Sequence, residues 1–399
     1  MAHLHPTGLP HRSLVMRLIP TPYGGTLVEA ILAQNQAKRL LEQQNEFLKI
    51  KPPIEQIYDA EKIALGAYSP LQGFMDEEDY TRVLNRNELK KGLVWTIPIV
   101  LTPKGDTKEL KPGDEALLLD LFDQPFALLK LEQKFKIDKG EFAEKVYATR
   151  DTNHPNVAEL SEYGETALSG KVELLRALPN QHGGVELTPR ETREYFQKMG
   201  WKNVAAYQAR NPPHKAHEYI QRLTLERDDV DALFIHPIVG KLKKGDYKPE
   251  VIMEAYKVFV EKYYPKNRVL LSALSIAMRY AGPKAVLFYA IIRRNYGCSH
   301  YIVGRDQAGV GSYYDPYAAH AIFDKYDVGV VPLRYQETFY CRVCEGMVSS
   351  KVCPHPESER VSTSQTKIRE LLQQGKPLPK EILRQEVIQI LERGDVLIK

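Results

Sequence analysis

Between residues 203 and 333 short apolar runs alternate with amphipathic stretches, and that rhythm limits the possible folds more than anything else in the chain. Strand-like runs fall at 203–207, 232–236, 268–273, 300–303 and 329–333. Helix-like stretches fill the intervals at 215–227, 249–263, 283–296 and 315–325. A helix between two strands carries the chain back to the end where the first strand began, so the strands pair in parallel. The rhythm predicts an α/β domain whose parallel sheet is covered on both faces. Ligands on such sheets sit beyond the carboxyl ends of the strands.

The richest polar stretches follow those ends. The first run leads into Tyr207-Gln208-Ala209-Arg210-Asn211-Pro212-Pro213-His214-Lys215-Ala216-His217-Glu218. Prolines suit a strand-to-helix junction, where a missing N–H costs least. The helix start that follows gathers free N–H groups and the positive end of the dipole, and so favours an anion. His214 and His217, three apart, share one face of the first turn. Gln208 and Arg210, two apart in extended chain, point to one side. The second run ends in His236-Pro237-Ile238-Val239-Gly240, followed by Lys241, Lys243, Lys244 and Asp246. The fourth ends in Gly304-Arg305-Asp306-Gln307-Ala308-Gly309-Val310-Gly311, where glycines around an Arg-Asp pair predict an anion nest of exposed N–H groups.

Upstream the rhythm differs. Residues 27–50 are rich in Ala, Leu, Gln, Glu and Lys and predict a helix. Runs at 95–101, 115–121 and 126–131, separated by turn residues, predict a small, mostly β domain. A helix is expected from Thr188 to near Gly200, and a last one over 380–393. Ser362-Thr363-Ser364 supplies an N-cap for a further amphipathic helix and stands where a segment could close over a ligand.

Cys341, Cys344, Cys353 and His355 have the spacing of a tetrahedral zinc knuckle, with Glu357 or Glu345 as alternatives to His355 for the fourth ligand. Four cysteines, three of them clustered, point to a metal site in a reducing, cytoplasmic setting rather than to a disulfide framework. Cys298 stands alone and is expected to be packed. A length of 399 residues predicts two or three domains, and 43% hydrophobic with 27% charged residues is an ordinary globular balance. No apolar run reaches membrane-spanning length, residues 1–20 lack the apolar core of a signal peptide, and a net charge of +4 gives no case for nucleic acid.

The Gln-x-Arg-Asn-Pro-x-His-x-x-His pattern at 208–217 resembles the signature of the ATP sulfurylases, and its histidine pair that of nucleotidylyltransferases more widely. Tyr68-Ser69-Pro70-Leu71-Gln72-Gly73-Phe74-Met75, Val146-Tyr147-Ala148-Thr149-Arg150-Asp151, the 236–246 loop and Met278-Arg279-Tyr280-Ala281-Gly282-Pro283 resemble further family motifs. Two positions depart from the family, which commonly has His where this chain has Tyr289 and Gln307. Gln365 replaces a family glycine. The resemblance implies a PUA-like β barrel with a leading helix over 1–175, a Rossmann-like nucleotidylyltransferase domain over 176–335, and a small zinc-knuckle and helical domain over 336–399.

It also implies the reaction of ATP with sulfate to give adenosine 5′-phosphosulfate and pyrophosphate. Gln208 and Arg210 then hold sulfate; Asn211, His214 and His217 contact the phosphates; Gly304, Arg305 and Asp306 meet the nucleotide. Mg²⁺ is expected with ATP, zinc as a structural ion, and a homo-oligomer as the assembly. The sequence contains no Gly-x4-Gly-Lys-Ser/Thr, so a fused P-loop kinase for adenylyl sulfate is not expected. Two other readings stand beside this one: an adenylyltransferase acting on a phosphorylated acceptor, and an RNA-binding protein using the small β domain.

Overall fold

The computed structural model describes residues 19–105 and 107–398. The signal-peptide reading of residues 1–20 therefore lies almost wholly outside the described residues. The first part of the chain runs α1 (Gln34–Glu42), β1 (Leu48–Ile50), α2 (Ile54–Ala64), β2 (Gly73–Phe74) and α3 (Glu77–Arg86). It continues with β3 (Glu115–Leu119), β4 (Pro125–Lys136), α4 (Lys139–Tyr147), α5 (Pro155–Glu159) and β5 (Thr166–Leu174). These strands form one sheet in the order β1-β3-β4-β5-β2, antiparallel except where β1 meets β3.

Two expectations fail here. The helix expected over 27–50 shrinks to α1, because Ala30 and Leu32 instead exchange backbone bonds with Leu174 and Ala64, and residues 48–50 pair with β3. Tertiary pairing overrides helix propensity. The run at 95–101 is buried but is no strand, keeping only an isolated bridge from Leu101 to Leu168. Pro98 interrupts it and Pro103 follows it, and proline has no N–H to give a ladder.

After α6 (Pro189–Lys198), which Thr188 and Glu191 cap reciprocally, the alternation begins. It runs β6 (Val204–Ala209), α7 (Lys215–Leu225), β7 (Ala232–Pro237), α8 (Pro249–Tyr263) and β8 (Val269–Leu271). It ends with α9 (Pro283–Asn295), β9 (His300–Val303), α10 (Ala318–Ala321) and β10 (Val331–Arg334). The five strands pair in parallel in the order β10-β9-β6-β7-β8. The helix expected over 315–325 is one α turn followed by a 3₁₀ turn. Side chains alternate faces along each strand. Val204, Ala206 and Phe234 join the core that holds α9, while Ala205, Tyr207 and Ile235 join the one that holds α8.

The chain then forms a three-stranded antiparallel sheet, β12-β11-β13, from β11 (Thr338–Cys341), β12 (Gly346–Ser349) and β13 (Arg360–Val361). It closes with α11 (Gln365–Gln373) and α12 (Gln385–Leu391), the latter shorter than the expected 380–393. Glu218 on α7 accepts two bonds from Arg384, which ties this last segment to the parallel sheet's covering helices.

Buried ion pairs join the first part to the second. Lys62 of α2 lies 2.6 Å from Glu61 and 2.9 Å from Glu186, which precedes α6. Arg279, in the loop before α9, donates to both carboxylate oxygens of Asp59 at 2.7 and 2.6 Å, and Tyr68 donates to Asp59 as well. Removing one member leaves a charge stranded out of water, at a cost of ~3–5 kcal/mol. Asp59→Ala should therefore lower the urea-unfolding free energy by about that much.

Candidate active site

Strand order places the site. From β6 the chain winds outward through β7 to β8, then crosses back so that β9 lies on β6's other side. Where order reverses, neighbouring loops part and leave a crevice beyond the carboxyl ends. That crevice is a cleft of about 730 Å³ between the end of β6 and the end of β9, with β11 and β13 as a further wall. Gln208, Arg210, Asn211, His214, His217, Gly304, Arg305 and Asp306 all line it. A second hollow, about 830 Å³, shares Arg210, Asp306, Gln307 and Ser364 with the first and adds Lys243 and Arg369.

His214 is the N-cap of α7; its Nδ1 accepts the His217 N–H at 3.3 Å. Nδ1 thus has no proton, and the ring's remaining nitrogen is its N–H donor. The two imidazoles stack with centroids 3.5 Å apart and planes 21° apart. Burial holds His214 down to about 4. His217 is lowered well below the usual histidine range, by burial first and by His214 second. The expected pair is therefore present as two neutral rings rather than as two cations. Arg210 donates from Nη1 to the Tyr280 hydroxyl at 2.9 Å, and its guanidinium lies 5.0 Å from that ring's centre. Tyr280 is itself held: its N–H donates to Asn156, and its carbonyl accepts from the Tyr314 hydroxyl.

The loop after β9 differs in detail from expectation. Its left-handed residues include Asp306 and Ala308, at φ 54° and 57°, so the strained turn is not left to glycine alone. A Cβ on Gly304 would meet nothing within 4 Å, so no close contact requires glycine there. The anion nest is only partial, because the N–H groups of Gly304, Asp306 and Gly309 are taken by Gln307, Pro316 and Asp306. Arg305 pairs with Glu337 at 2.6 Å and with Asp306 at 3.1 Å.

The two departures each have a structural task. Tyr289 is fully buried, and its hydroxyl accepts the Arg279 N–H at 2.7 Å, bracing the loop that carries Tyr280. Gln307 bridges the Gly304 N–H and the Tyr301 hydroxyl. The basic loop is largely self-neutralised, Lys241 pairing with Glu55 and Glu159, and Lys243 with Asp246. Sequence reasoning missed Tyr280, Tyr301 and Glu337. Tyr301 sits in an apolar run that reads as a buried strand, Tyr280 fills the variable place of a family motif, and Glu337 has no local signal.

The cysteine cluster lies at the end of the small sheet, from Cys341 on β11 to His355 beyond β12. Its four donor atoms all lie within 4.8 Å of one another. His355 Nδ1 is 3.4, 3.3 and 3.6 Å from the sulfurs of Cys341, Cys344 and Cys353, and the latter two sulfurs are 3.9 Å apart. A tetrahedron with metal–sulfur and metal–nitrogen bonds of ordinary zinc length has edges of about 3.8 and 3.5 Å. The donor set fits a metal ion, with His355 rather than Glu345 or Glu357 in the fourth place. Cys298 is fully buried, and burial pushes its thiol up to about 12.

This architecture is that of an α/β protein with a parallel sheet, preceded by a smaller part that is not mostly β as expected, its five-stranded sheet being accompanied by five helices. A family model described as PUA-like domain matches residues 20–177, and one described as ATP-sulfurylase matches residues 184–394. The chain is 43% identical to a sulfate adenylyltransferase of Pyrococcus abyssi over 95% of its length and 99% of that protein's. It is 44% identical to one of Aeropyrum pernix, covering 93% and 97%. A solved structure titled hexameric APS kinase, from Thiobacillus denitrificans, is 26% identical with a TM-score of 0.71, covering 95% of this chain and 69% of that one. The chain belongs to the ATP-sulfurylase family.

The neutral histidines have a consequence for stability. His214 moves from an ordinary 6.5 to about 4 on folding, so between those values the unfolded chain binds more protons. Its contribution is complete above pH 6.5 and is lost as pH falls towards 4, up to about 3 kcal/mol from this ring. Urea midpoints of the ligand-free protein should fall across that window. His214→Asn, which keeps a capping side chain, should flatten the slope.

Proposed function

We propose that this chain is a sulfate adenylyltransferase, joining ATP and sulfate to give adenosine 5′-phosphosulfate and pyrophosphate, reversibly, by in-line attack of a sulfate oxygen on the α-phosphorus. The observation that carries the reading is the meeting of Gln208 and Arg210 with the His214–His217 pair in one cleft at the sheet's switch point. Near-full-length relatives named as sulfate adenylyltransferases support it over an adenylyltransferase for a phosphorylated acceptor and over an RNA-binding protein.

The chemical obstacle is like charge. Sulfate is a weak nucleophile and ATP an anion, so the site aligns them and stabilises charge on the leaving pyrophosphate, with no covalent nucleophile needed. Gln208 and Arg210 hold sulfate, the guanidinium fixed in place by Tyr280. Asn211 and the neutral N–H groups of His214 and His217 bind phosphate oxygens at the start of α7. Arg305 exchanges Glu337 for the nucleotide, with Gly304 and Asp306 beside it. Mg²⁺ enters with ATP, held mostly by phosphates and water. Residues 1–175, 176–335 and 336–399 divide as PUA-like, catalytic and knuckle domains. The described residues include no helix long and apolar enough to cross a membrane. A cytoplasmic homo-oligomer completes the reading, supported by ligand thiols that need a reducing medium and by a related structure titled hexameric.

Sulfate-dependent release of pyrophosphate from ATP by the purified chain tests the reaction; release that ignores sulfate would refute it. Arg210→Ala should leave ATP affinity within about twofold while raising the sulfate requirement about 10- to 100-fold, the loss of one charge-assisted contact. His217→Ala should slow both directions, since pyrophosphate leaves in one and attacks in the other. Calorimetry with ATP beside forward and reverse rates reads both.

Zinc at Cys341, Cys344, Cys353 and His355 orders the small sheet and takes no part in turnover. Elemental analysis should find about one zinc per chain. Cys341→Ser should lower the thermal midpoint by more than it lowers turnover per folded molecule.

A further inference from the structure

Gln208, the residue read as a sulfate ligand, ends a hydrogen-bonded chain whose direction is set at its far end. The Gly304 N–H can only donate, and it donates to Gln307 Oε1 at 2.8 Å. That choice turns the same amide's Nε2 towards Tyr301, whose hydroxyl oxygen accepts from it at 2.8 Å. The hydroxyl's single hydrogen is then given to Gln208 Oε1, at 3.0 Å. Gln208 is left with its NH₂ for the cleft it lines. An amide's two ends are nearly the same shape, so packing alone would not choose between them. Here a main-chain group on β9's loop makes the choice for a side chain on the neighbouring strand β6.

We propose that Gln307 is a positioning residue for adenylyl transfer: through Tyr301 it orients the Gln208 amide so that its NH₂, and not its carbonyl, meets sulfate. The inference rests on the reading of Gln208 as a sulfate ligand. Turned the other way, the amide would offer a lone pair to a dianion. Each link is neutral, and Tyr301 is fully buried, which pushes its phenol further above the range where it ionises. The polarity is therefore the same from acid to alkaline pH. An imidazole at 307 would gain a second proton in acid and lose the acceptor that the Gly304 N–H needs; glutamine has no such state.

The test is steady-state kinetics of the full chain, with sulfate and ATP varied separately, for Gln208→Ala, Tyr301→Phe, Gln307→Met and the Tyr301→Phe/Gln307→Met double variant. Tyr301→Phe keeps the Gln307–Gly304 bond and so spares the loop, which guards against a Gln307→Met variant that folds poorly. The expected result is a sulfate KM raised about tenfold in Tyr301→Phe and about three- to tenfold in Gln307→Met, with ATP KM within about twofold. The double variant should be no worse than Tyr301→Phe alone, because Gln307 acts through the hydroxyl already removed. Additive effects in that cycle, or an ATP KM that rises in step with the sulfate KM, would reduce Gln307 to a loop brace and overturn the proposal. A raised sulfate KM in Gln208→Ala beside an unchanged one in Tyr301→Phe overturns the relay alone. An unchanged sulfate KM in Gln208→Ala overturns the placement of sulfate, and the relay with it.

Discussion

Asp59 and Arg279 meet where water does not reach, and the loop that supports Arg210 is anchored by that pair. A buried charge that has lost its partner is costly, so the first part of the chain and the loop before α9 are bound to dock in one arrangement. The same loop carries Tyr280, and Tyr280 carries Arg210. A residue on α2 thus governs the aim of a guanidinium on the far side of the domain junction. Tyr289 reinforces the arrangement from below by accepting the Arg279 N–H. The PUA-like part acts as a buttress for the cleft, through Asp59 and Lys62 of α2.

The candidate site presents few unpaired positive charges. Its histidines are neutral, Lys241 and Lys243 are paired with carboxylates, and Arg305 is paired with Glu337. What it presents are oriented donors: ring N–H groups at a helix start, an amide whose polarity is set by the backbone, and one guanidinium held against a tyrosine. Such donors need no reorganisation when charge builds on the leaving group, which is where electrostatic catalysis gains most. Paired arginine and lysine side chains, by contrast, must first let go of their partners. That arrangement keeps the empty cleft from being a patch of mutual repulsion.

Much of this was legible in the residues. The strand at 300–303 and the helix at 249–263 fall where the pattern put them, the first as a short apolar run buried on both faces and the second as an amphipathic stretch with one buried side. The expected polar residues at the ends of β6 and β9 do converge on one cleft. The misses have physical causes. Residues 27–50 carry helix-forming composition, yet Ala30, Leu32 and residues 48–50 pair with segments far along the chain, and composition holds no record of such partners. Residues 95–101 are β-rich in composition, but Pro98 breaks the ladder. The loop after β9 looked like a nest of free N–H groups, and three of those groups are spent inside the protein.

The sequence by itself determined the parallel sheet, the residues at its carboxyl edge and the cysteine spacing, since period, helix capping and metal-ligand chemistry all act over a few neighbouring residues. Only the tertiary structure decided how those residues are held. Tyr301 reads in sequence as one more apolar position of a buried strand; that it passes polarity from Gly304 and Gln307 to Gln208 depends on β9 lying beside β6. His355 rather than a nearby glutamate completes the cysteine cluster because the small sheet folds its ring between three sulfurs. The neutrality of His214 and His217 is a matter of burial, which belongs to the packed molecule and to no stretch of chain. Hydrogen-bond direction and desolvation are set by whatever lies across the gap, and in a parallel sheet the neighbour across the gap comes from far away in sequence.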